Sequence, residues 1–486
     1  MKKAKADKSL LLAYYGDDFT GSTDVMESLA RAGLRTVLFL EPPTPAQLAK
    51  FPGLRAFGIA GGSRTMSPAQ MDRELPRAFK ALKASSAPIV HYKTCSTFDS
   101  SPTVGSIGKA IELGRQVFGK KAVTPLVIGV PVLGRYVVFG NLFARSGLDT
   151  EPARLDRHPT MSRHPVTPMD EADIRLHLAK QTKLPVELVD LLKLKAARAH
   201  SKNGTKNGSA SNGNGHALNG ATPKSPIVLF DTFDTLDLPV IGQMISDQVP
   251  AGGQLFSVGS SGIEYALVAF WRETGLLGNA MELSPSVRPA TPSSSPQIIT
   301  VSGSCSPVTD RQIGRALDAG FVEIACDSRM LADEKQTFAS VKETIARAQP
   351  ALEAGRNVIF HTARGPADNR RVGFERVAKK YSGDSKAERL AAAGANLGQG
   401  LALILHYAMR RTGARRAVVC GGDTSTHVAR ALGIEALEFV APMAPGGPLC
   451  RIHAPNGVAN GCEIIFKGGQ VGRDSFFLDV ARQGAN

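Results

Sequence analysis

Short apolar runs alternate with amphipathic stretches through the first half of the chain. The run from Ser9 to Tyr15 predicts a strand, and the polar turn that follows leads into a helical pattern ending near Ala32. A second apolar run, Arg35 to Leu40, follows Gly33. This order predicts a βαβ unit, the building block of a parallel sheet.

The same alternation continues beyond this unit. The segments "LRAFGIAG", "PIVHYK" and "PLVIGVPVL" read as further strands. Between the first two, Ser67 can cap a helix that begins with Pro68, and Gln70 can complete a capping box. Near-continuous apolar strands separated by helices predict an α/β fold whose mainly parallel sheet is covered on both faces.

Two segments interrupt the pattern and suggest a division into domains. Residues 201–225 are rich in Asn, Gly and Ser, which predicts a flexible insertion within an N-terminal domain spanning residues 1–285. Residues 286–296 are rich in Pro and Ser and predict a linker. A second α/β domain is then expected over residues 297–486, so the length of 486 residues accommodates two cores.

Composition narrows the class of protein. The formal net charge of +15 allows for anionic partners, but the basic residues are scattered and no aromatic residues interleave with them, so nucleic acid is not an expected partner. The six cysteines form no C-x-x-C pair and are expected to be reduced thiols. Without a signal peptide or an apolar run long enough for a bilayer, the protein is expected in the cytoplasm and away from membranes.

Polar residues follow several strands of the first half. Asp17 and Asp18 end the first strand; adjacent carboxylates raise each other's pKa and can accept a hydroxyl proton, although a helix cap and a turn residue are the simpler interpretation. Arg64 follows a second strand and could bind a carboxylate. Lys93, with Ser96, Thr97 and Asp99, follows a third. An anionic, hydroxyl-rich ligand would suit these residues.

The sequence leaves two questions open: the role of His164 and the presence of a bound metal ion. His164, in the Pro-rich segment "RHPVTPM", could position a substrate or be a structural loop residue. No histidine spacing typical of zinc sites is present, whereas a Mg²⁺ ion bound with nucleotide phosphates would leave little trace in a sequence.

Three turns in the second half favour phosphate binding. "VVCGGDTSTHVARALG" places Gly421, Gly422, Asp423 and Thr424 between a strand and a helix, where free amides and the helix dipole attract anions. A helix capped by Asp423 or Thr424 would need no ligand. The turns "VSGSCS", with Ser304 and Ser306, and "KGGQVG", with Gly468 and Gly469, are expected at the same sheet edge. Neither a P-loop nor a dinucleotide fingerprint is present.

These segments together resemble the four-carbon acid sugar kinase family, which includes 3-oxo-tetronate and threonate kinases. The resemblance rests on "GDDFTGSTD", "HYKTCSTFDSSP", "RHPVTPM", "VSGSCSPVT", "GGDTS" and "KGGQVG", in that order and over nearly the whole chain. It implies two α/β domains with the active site in the cleft between them, where ATP phosphorylates a hydroxyl of a four-carbon sugar acid. The expected cofactors are ATP and Mg²⁺, with a homodimer as one possible assembly.

The resemblance also implies roles for individual residues. Asp17, Asp18, Arg64 and Lys93 would line the acid-sugar site, with Asp18 preferred as the base, while Ser304, residues 421–424 and Gly469 would hold ATP. Around the Asp pair the sequence departs from many members, having Tyr15 before it and "GS" after the Thr. This difference concerns the identity of the substrate more than the phosphoryl transfer itself.

Three alternatives to a four-carbon acid sugar kinase are considered. A kinase of another acid sugar, such as an oxo-isoapionate type or five-carbon compound, differs only in substrate. A dehydrogenase would need a dinucleotide fingerprint, which the sequence lacks. A sugar-acid sensor would bind its ligand without consuming ATP.

Overall fold

The computed structural model describes residues 9–146, 150–164, 166–204, 225–278, 297–383 and 386–483. Within these, contacts separate two compact units. The first lies within Met1–Thr36 and Glu41–Ser284, and the second within Val37–Leu40 and Pro285–Asn486. Most of the predicted insertion at 201–225 and the predicted linker at 286–296 lie outside the described residues.

The strands of the first unit form one parallel sheet and a small antiparallel one. They are β1 (Leu12–Gly16), β3 (Ala56–Ala60), β4 (Ile89–Lys93), β5 (Thr124–Val127), β6 (Arg135–Val138), β7 (Asn141–Ala144), β8 (Ala153–Arg154), β9 (Val186–Val189), β10 (Ile227–Phe230) and β11 (Leu255–Gly259), with β2 (Thr36–Phe39) between β1 and β3 in the chain. The parallel sheet has the order β3-β1-β4-β11-β5-β10-β9, and β6, β7 and β8 pair antiparallel.

Helices connect these strands as the alternating pattern predicts. They are α1 (Phe19–Arg31), α2 (Pro45–Ala49), α3 (Pro68–Ala84), α4 (Ile107–Phe118), α5 (Ile174–Ala179), α6 (Leu191–Gly204), α7 (Leu238–Asp247) and α8 (Gly262–Glu273). Ser67 caps α3 and Gln70 completes the capping box, as predicted from the sequence. All five residues of each of β1, β3, β4 and β11 are buried, as expected for strands covered on both faces.

The second unit is again a mainly parallel sheet with helices. Its strands are β12 (Ile298–Ser302), β13 (Val322–Ala325), β14 (Val358–His361), β15 (Arg416–Cys420), β16 (Ala436–Ala444), β17 (Gly447–His453) and β18 (Glu463–Lys467). Its helices are α9 (Pro307–Asp318), α10 (Ser328–Ala332), α11 (Thr337–Glu353), α12 (Arg370–Ala378), α13 (Lys386–Thr412), α14 (Gly422–Ala431) and α15 (Phe476–Arg482). The order β13-β14-β12-β15-β18 is parallel, and β17 and β16 continue it antiparallel.

Strand β2 corrects the predicted βαβ unit. Its residues Val37, Leu38 and Phe39 pair antiparallel with β16 of the second unit, and the amide of Leu40 donates to the carbonyl of Glu435. The neighbours of β1 in its sheet are instead β3 and β4. The sequence correctly predicted a strand at this position but assigned it to the wrong sheet.

None of the helices in the described residues combines the length and the apolar composition needed to cross a bilayer. None of the six cysteines is part of a disulfide bond.

Candidate functional site

The two aspartates at the end of β1 have different surroundings. Asp18 is the N-cap of α1: its Oδ1 accepts from the amide of Gly21 at 2.5 Å, and its Oδ2 accepts from Arg64 Nη1 at 2.8 Å. Asp17 is buried, and its carboxylate accepts no hydrogen bond from the described residues. Of the pair, Asp17 is therefore the carboxylate free to interact with a ligand.

Burial sets the ionisation of Asp17. Loss of hydration, together with the adjacent charge of Asp18, raises the pKa of Asp17 to about 7, although Arg64 and Lys93 act in the opposite direction. A carboxylate with a pKa near neutrality is strong enough as a base to accept a hydroxyl proton and is still substantially ionised at pH 7. The pKa of Asp17 is therefore in the range that a general base requires.

Arg64 links the turn after β3 to the turn after β4. Its Nη2 donates to both carboxylate oxygens of Asp99, at 2.9 and 2.8 Å, while its Nη1 binds Asp18. Thr97 Oγ1 donates to Asp99 Oδ1 at 2.5 Å. Burial acts to raise the pKa of Asp99, but Arg64 and Thr97 outweigh it and hold this pKa below its usual value. The Arg64 guanidinium is thus oriented by two carboxylates before any ligand binds.

His164 joins this cluster through Thr167. The Thr167 hydroxyl lies 3.0 Å from His164 Nδ1 and donates at 3.4 Å to Asp99 Oδ2, and the Thr167 amide donates to the same ring nitrogen at 3.1 Å. Ser96 lies half-buried in the turn that carries Thr97, and its hydroxyl makes no hydrogen bond with the described residues. The predicted residues from these four turns are therefore close neighbours.

Lys93 ends β4 as a buried cation. Its Nζ lies 3.6 Å from Asp24 Oδ2, which also accepts a hydrogen bond from the hydroxyl of Ser261. Burial acts to lower the pKa of Lys93, but nearby carboxyl groups, Asp24 foremost, outweigh it and raise this pKa. Lys93 therefore remains an ammonium, able to bind an anion.

The three predicted turns of the second unit pack against one another. A Cβ atom on Gly303 would lie 2.2 Å from Thr424 Oγ1, and one on Gly469 would lie 2.5 Å from Ser304 Oγ. Gly421 has a φ of +115°, and a Cβ there would approach the Ser304 amide within 3.5 Å. Glycine is therefore required at Gly303 and Gly469 by the close approach of side chains, and at Gly421 by its backbone conformation.

Two helices begin at these turns. α14 starts at Gly422 with Gly421 as N-cap and no side-chain capping hydrogen bond, so the capping role considered for Asp423 or Thr424 is wrong. Asp423 is exposed in the first turn and Thr424 is buried. α9 is capped by Ser306, whose amide donates to Ser304 Oγ at 3.2 Å. The uncapped N-terminus of α14 leaves amides available for an anion.

Lys467 lies directly before Gly468 and was not predicted. Its ammonium is fully buried, donates to Thr309 Oγ1 at 3.1 Å and lies 5.6 Å from the Phe476 ring centroid. Thr309 in turn donates to the carbonyl of Gly469 at 2.8 Å. Within the described residues Lys467 forms no ion pair, and burial lowers its pKa. This buried positive charge favours an anion at the glycine turn.

Sequence reasoning also missed Asp24, His91 and Glu264 around Lys93. A signal was present for two of them. Asp24 lies three residues after Gly21 on α1, on the face that meets Lys93, and Glu264 is an isolated acid in the otherwise apolar beginning of α8. No group of three or more His, Cys, Asp or Glu in the described residues is arranged to hold a metal ion.

Family models match both units of the chain. Residues 12–267 match a sugar-binding N-terminal domain, and residues 299–477 match a nucleotide-binding C-terminal domain. These matches agree with the placement of the carboxylate and ammonium cluster in the first unit and of the glycine turns in the second.

Similar proteins support the same assignment. A 3-oxo-isoapionate kinase of Paraburkholderia graminis is 45% identical over 98% of this chain and 94% of its own. A 3-oxo-tetronate kinase of Methylobacterium radiotolerans is 30% identical over 96% and 98%. A solved structure from Salmonella typhimurium LT2 shares the fold, with a TM-score of 0.69 at 22% identity, covering 97% of this chain and 99% of its own. The chain therefore belongs to the four-carbon acid sugar kinase family.

Proposed function

We propose that this ATP-dependent sugar-acid kinase phosphorylates a hydroxyl of 3-oxo-isoapionate. The observation that carries the proposal is the 45% identity, over nearly the full length of both chains, to a relative of that name. A second candidate is 3-oxo-tetronate, the substrate in the name of relatives that are 30% identical or less. Both are 3-oxo acids, so the difference lies in the carbon skeleton that the site accepts.

The cluster of the first unit suits such a substrate. Lys93 and Arg64 supply positive charge for the carboxylate, and Arg64 is held in orientation by Asp18 and Asp99. Ser96, Thr97 and His164 are assigned to the substrate's oxygen atoms. We assign the base to Asp17, in preference to Asp18, because Asp17 combines a pKa of about 7 with a carboxylate that accepts no hydrogen bond from the described residues.

The chemistry divides between the two sets of residues. Asp17 accepts the proton of the substrate hydroxyl as its oxygen bonds to the γ-phosphorus of ATP, and the bond from that phosphorus to the β,γ-bridging oxygen breaks to release ADP. Ser304, Ser306, Gly421, Gly422, Asp423, Thr424, Gly468 and Gly469 are assigned to the nucleotide. The amides of α14 and the charge of Lys467 would stabilise its phosphates.

Mg²⁺ is assigned to the nucleotide phosphates, since the described residues offer no dedicated metal cage. Its chemistry would be to neutralise phosphate charge during transfer. A cytoplasmic location and a homodimer stay predictions.

The experiment is ADP release from Mg-ATP by the purified protein with a panel of acids. The panel contains 3-oxo-isoapionate, 3-oxo-tetronate, threonate and erythronate, with a reaction lacking any acid as control. The expected result is the highest kcat/KM with 3-oxo-isoapionate. A higher value with 3-oxo-tetronate would overturn the choice of substrate, and no release with any acid would overturn the assignment as a sugar-acid kinase.

A further inference from the structure

Glu264 is a fully buried acid whose hydrogen bonding is incomplete. Neither of its carboxylate oxygens has a hydrogen-bond partner among the described residues. His91 Nε2 lies 3.2 Å from Oε1, and His91 is fully buried as well. Although these atoms are close, their geometry does not form an N–H···O hydrogen bond, and Nε2 also lacks a partner.

A proton on Glu264 lowers the cost of this arrangement. An ionised carboxylate without hydrogen bonds is costly in a buried site, whereas a neutral carboxylic acid avoids burying that charge. Burial raises the pKa of Glu264 to about 8 and lowers the pKa of His91 to about 3. At neutral pH the two side chains therefore form an uncharged pair.

The pair of His91 and Glu264 lies next to Lys93, the lysine that we assign to the substrate. His91 and Lys93 are two residues apart on β4, so their side chains lie on the same face of the sheet. Among the described residues, the titratable groups that interact with Glu264 are His91 and Lys93 from β4, Asp24 from α1 and the adjacent Tyr265 on α8. Ser257 of β11 lies on the other side of His91, 3.4 Å from Nδ1.

The charge balance of this site depends on Glu264. Asp18, Asp24 and Asp99 already face two cations, Arg64 and Lys93. A further carboxylate beside Lys93 would compete with the carboxylate of a sugar acid for the same ammonium. A neutral Glu264 leaves that ammonium to Asp24 and the substrate.

We propose that Glu264 is a positioning residue that acts through Lys93: as a neutral acid beside His91 it leaves the ammonium available to an anionic substrate, and its ionisation at alkaline pH weakens the binding of that substrate. This inference rests on the proposed function, in which Lys93 binds the carboxylate of the sugar acid. It makes sugar-acid binding, and not ATP binding, sensitive to alkaline pH.

The test compares the wild type with Glu264→Gln, an isosteric neutral variant, from pH 6 to 9.5. In the wild type the KM for the acid should rise about fivefold between pH 8 and 9, as expected for a group with a pKa near 8, while the KM for ATP stays unchanged. In Glu264→Gln the KM for the acid should stay flat. Glu273→Gln, an exposed change on the same helix, is the matched control and should behave like the wild type.

Several outcomes would overturn the inference. An unchanged alkaline rise in folded Glu264→Gln would do so, as would loss of activity at every pH, because the amide is neutral like the protonated acid. If Glu264→Gln does not fold, Glu264→Leu provides the same test, since it cannot ionise either.

A second readout needs no substrate. Because the pKa of Glu264 is raised on folding, the folded state holds a proton that the unfolded state releases between about pH 5 and 8, and stability falls with pH across this window. The melting temperature of the wild type should thus fall relative to Glu264→Gln between pH 5 and 8. Parallel curves would contradict a protonated Glu264. Absence of turnover with any acid would instead contradict the proposed function.

Discussion

At the scale of single residues, Asp17 and Asp18 are adjacent in the sequence but differ in burial and in hydrogen bonding. Asp18 caps α1 and binds Arg64, while Asp17 is buried without a hydrogen bond to its carboxylate from the described residues. We expect Asp17→Asn to lower kcat about 10²- to 10⁴-fold, the contribution typical of a general base. ADP binding, measured by calorimetry, should be unchanged because the residues that we assign to the nucleotide lie in the other unit.

Asp18→Asn is the matched control for this prediction. Asparagine retains the capping hydrogen bond, so α1 should remain stable, but the ion pair with Arg64 is lost. The main effect should be a higher KM for the acid with a smaller loss of kcat. The reverse pattern, with kcat collapsing only in Asp18→Asn, would assign the base to Asp18.

The pKa of Asp17 also predicts a pH profile. The base must be ionised to accept a proton, so kcat/KM of the wild type for the acid, which reports the enzyme without bound acid, should rise with pH up to about pH 7. Steady-state rates with varied acid and saturating ATP between pH 5 and 7 measure this limb. A kcat/KM that is already constant between pH 5 and 7 would contradict a base with the pKa of Asp17.

At this scale, the sequence predicted which residues lie close together, but not which of the two aspartates has the raised pKa. Asp17, Asp18, Arg64 and Lys93 could be placed together because they end neighbouring parallel strands. Their individual roles depend on burial and on partners from distant segments, such as Asp99 for Arg64 and Asp24 for Lys93. Neither dependence can be read from local sequence, and the uncharged pair of His91 and Glu264 joins residues more than 170 positions apart.

At the scale of elements, the packing of three glycine turns creates the nucleotide site that we propose. Gly469→Ala would bring a Cβ within 2.5 Å of Ser304 Oγ and 2.9 Å of Ser306 Cβ. The turns must then separate, at a cost of about 1 to 3 kcal/mol typical of overpacking. We expect the KM for ATP to rise about tenfold, which corresponds to 1.4 kcal/mol of binding free energy, while the KM for the acid changes little.

Gly394→Ala in α13 provides the control, since a Cβ there meets no atom within 4 Å. It should leave both KM values at those of the wild type. Equal ATP kinetics in Gly469→Ala and Gly394→Ala would contradict a nucleotide site at these turns.

Local signals predicted elements well where the determinants are local. The capping box of Ser67 and Gln70 marked the start of α3 because both hydrogen bonds involve residues three apart. The start of α14 was harder to predict: the expected side-chain cap is absent, and Gly421 fills the N-cap position with a positive φ, where a Cβ would also lie 3.0 Å from Thr424 Oγ1. The partner of β2 could not be predicted either, because β16 lies about 400 residues further along the chain.

At the scale of the whole molecule, the chain completes its second unit with a strand from near its beginning. Val37, Leu38 and Phe39 are buried and cover one edge of β16. A fragment that begins at residue 297 lacks this strand. The uncovered edge would expose unpaired backbone groups beside the apolar residues Leu437 and Phe439, which is a template for association.

We therefore expect the fragment 297–486 to self-associate in size-exclusion chromatography and to bind ATP more weakly than the full chain by calorimetry. Adding a peptide of residues 35–41 should reduce the association, because it restores the hydrogen bonds of Val37 to Leu40 along β16. The same peptide with Leu38→Pro is the matched control: it lacks the amide of Leu38 and should not rescue. A monomeric fragment that binds ATP as the full chain does would show that the strand is dispensable, and that the second unit folds from its own segment alone.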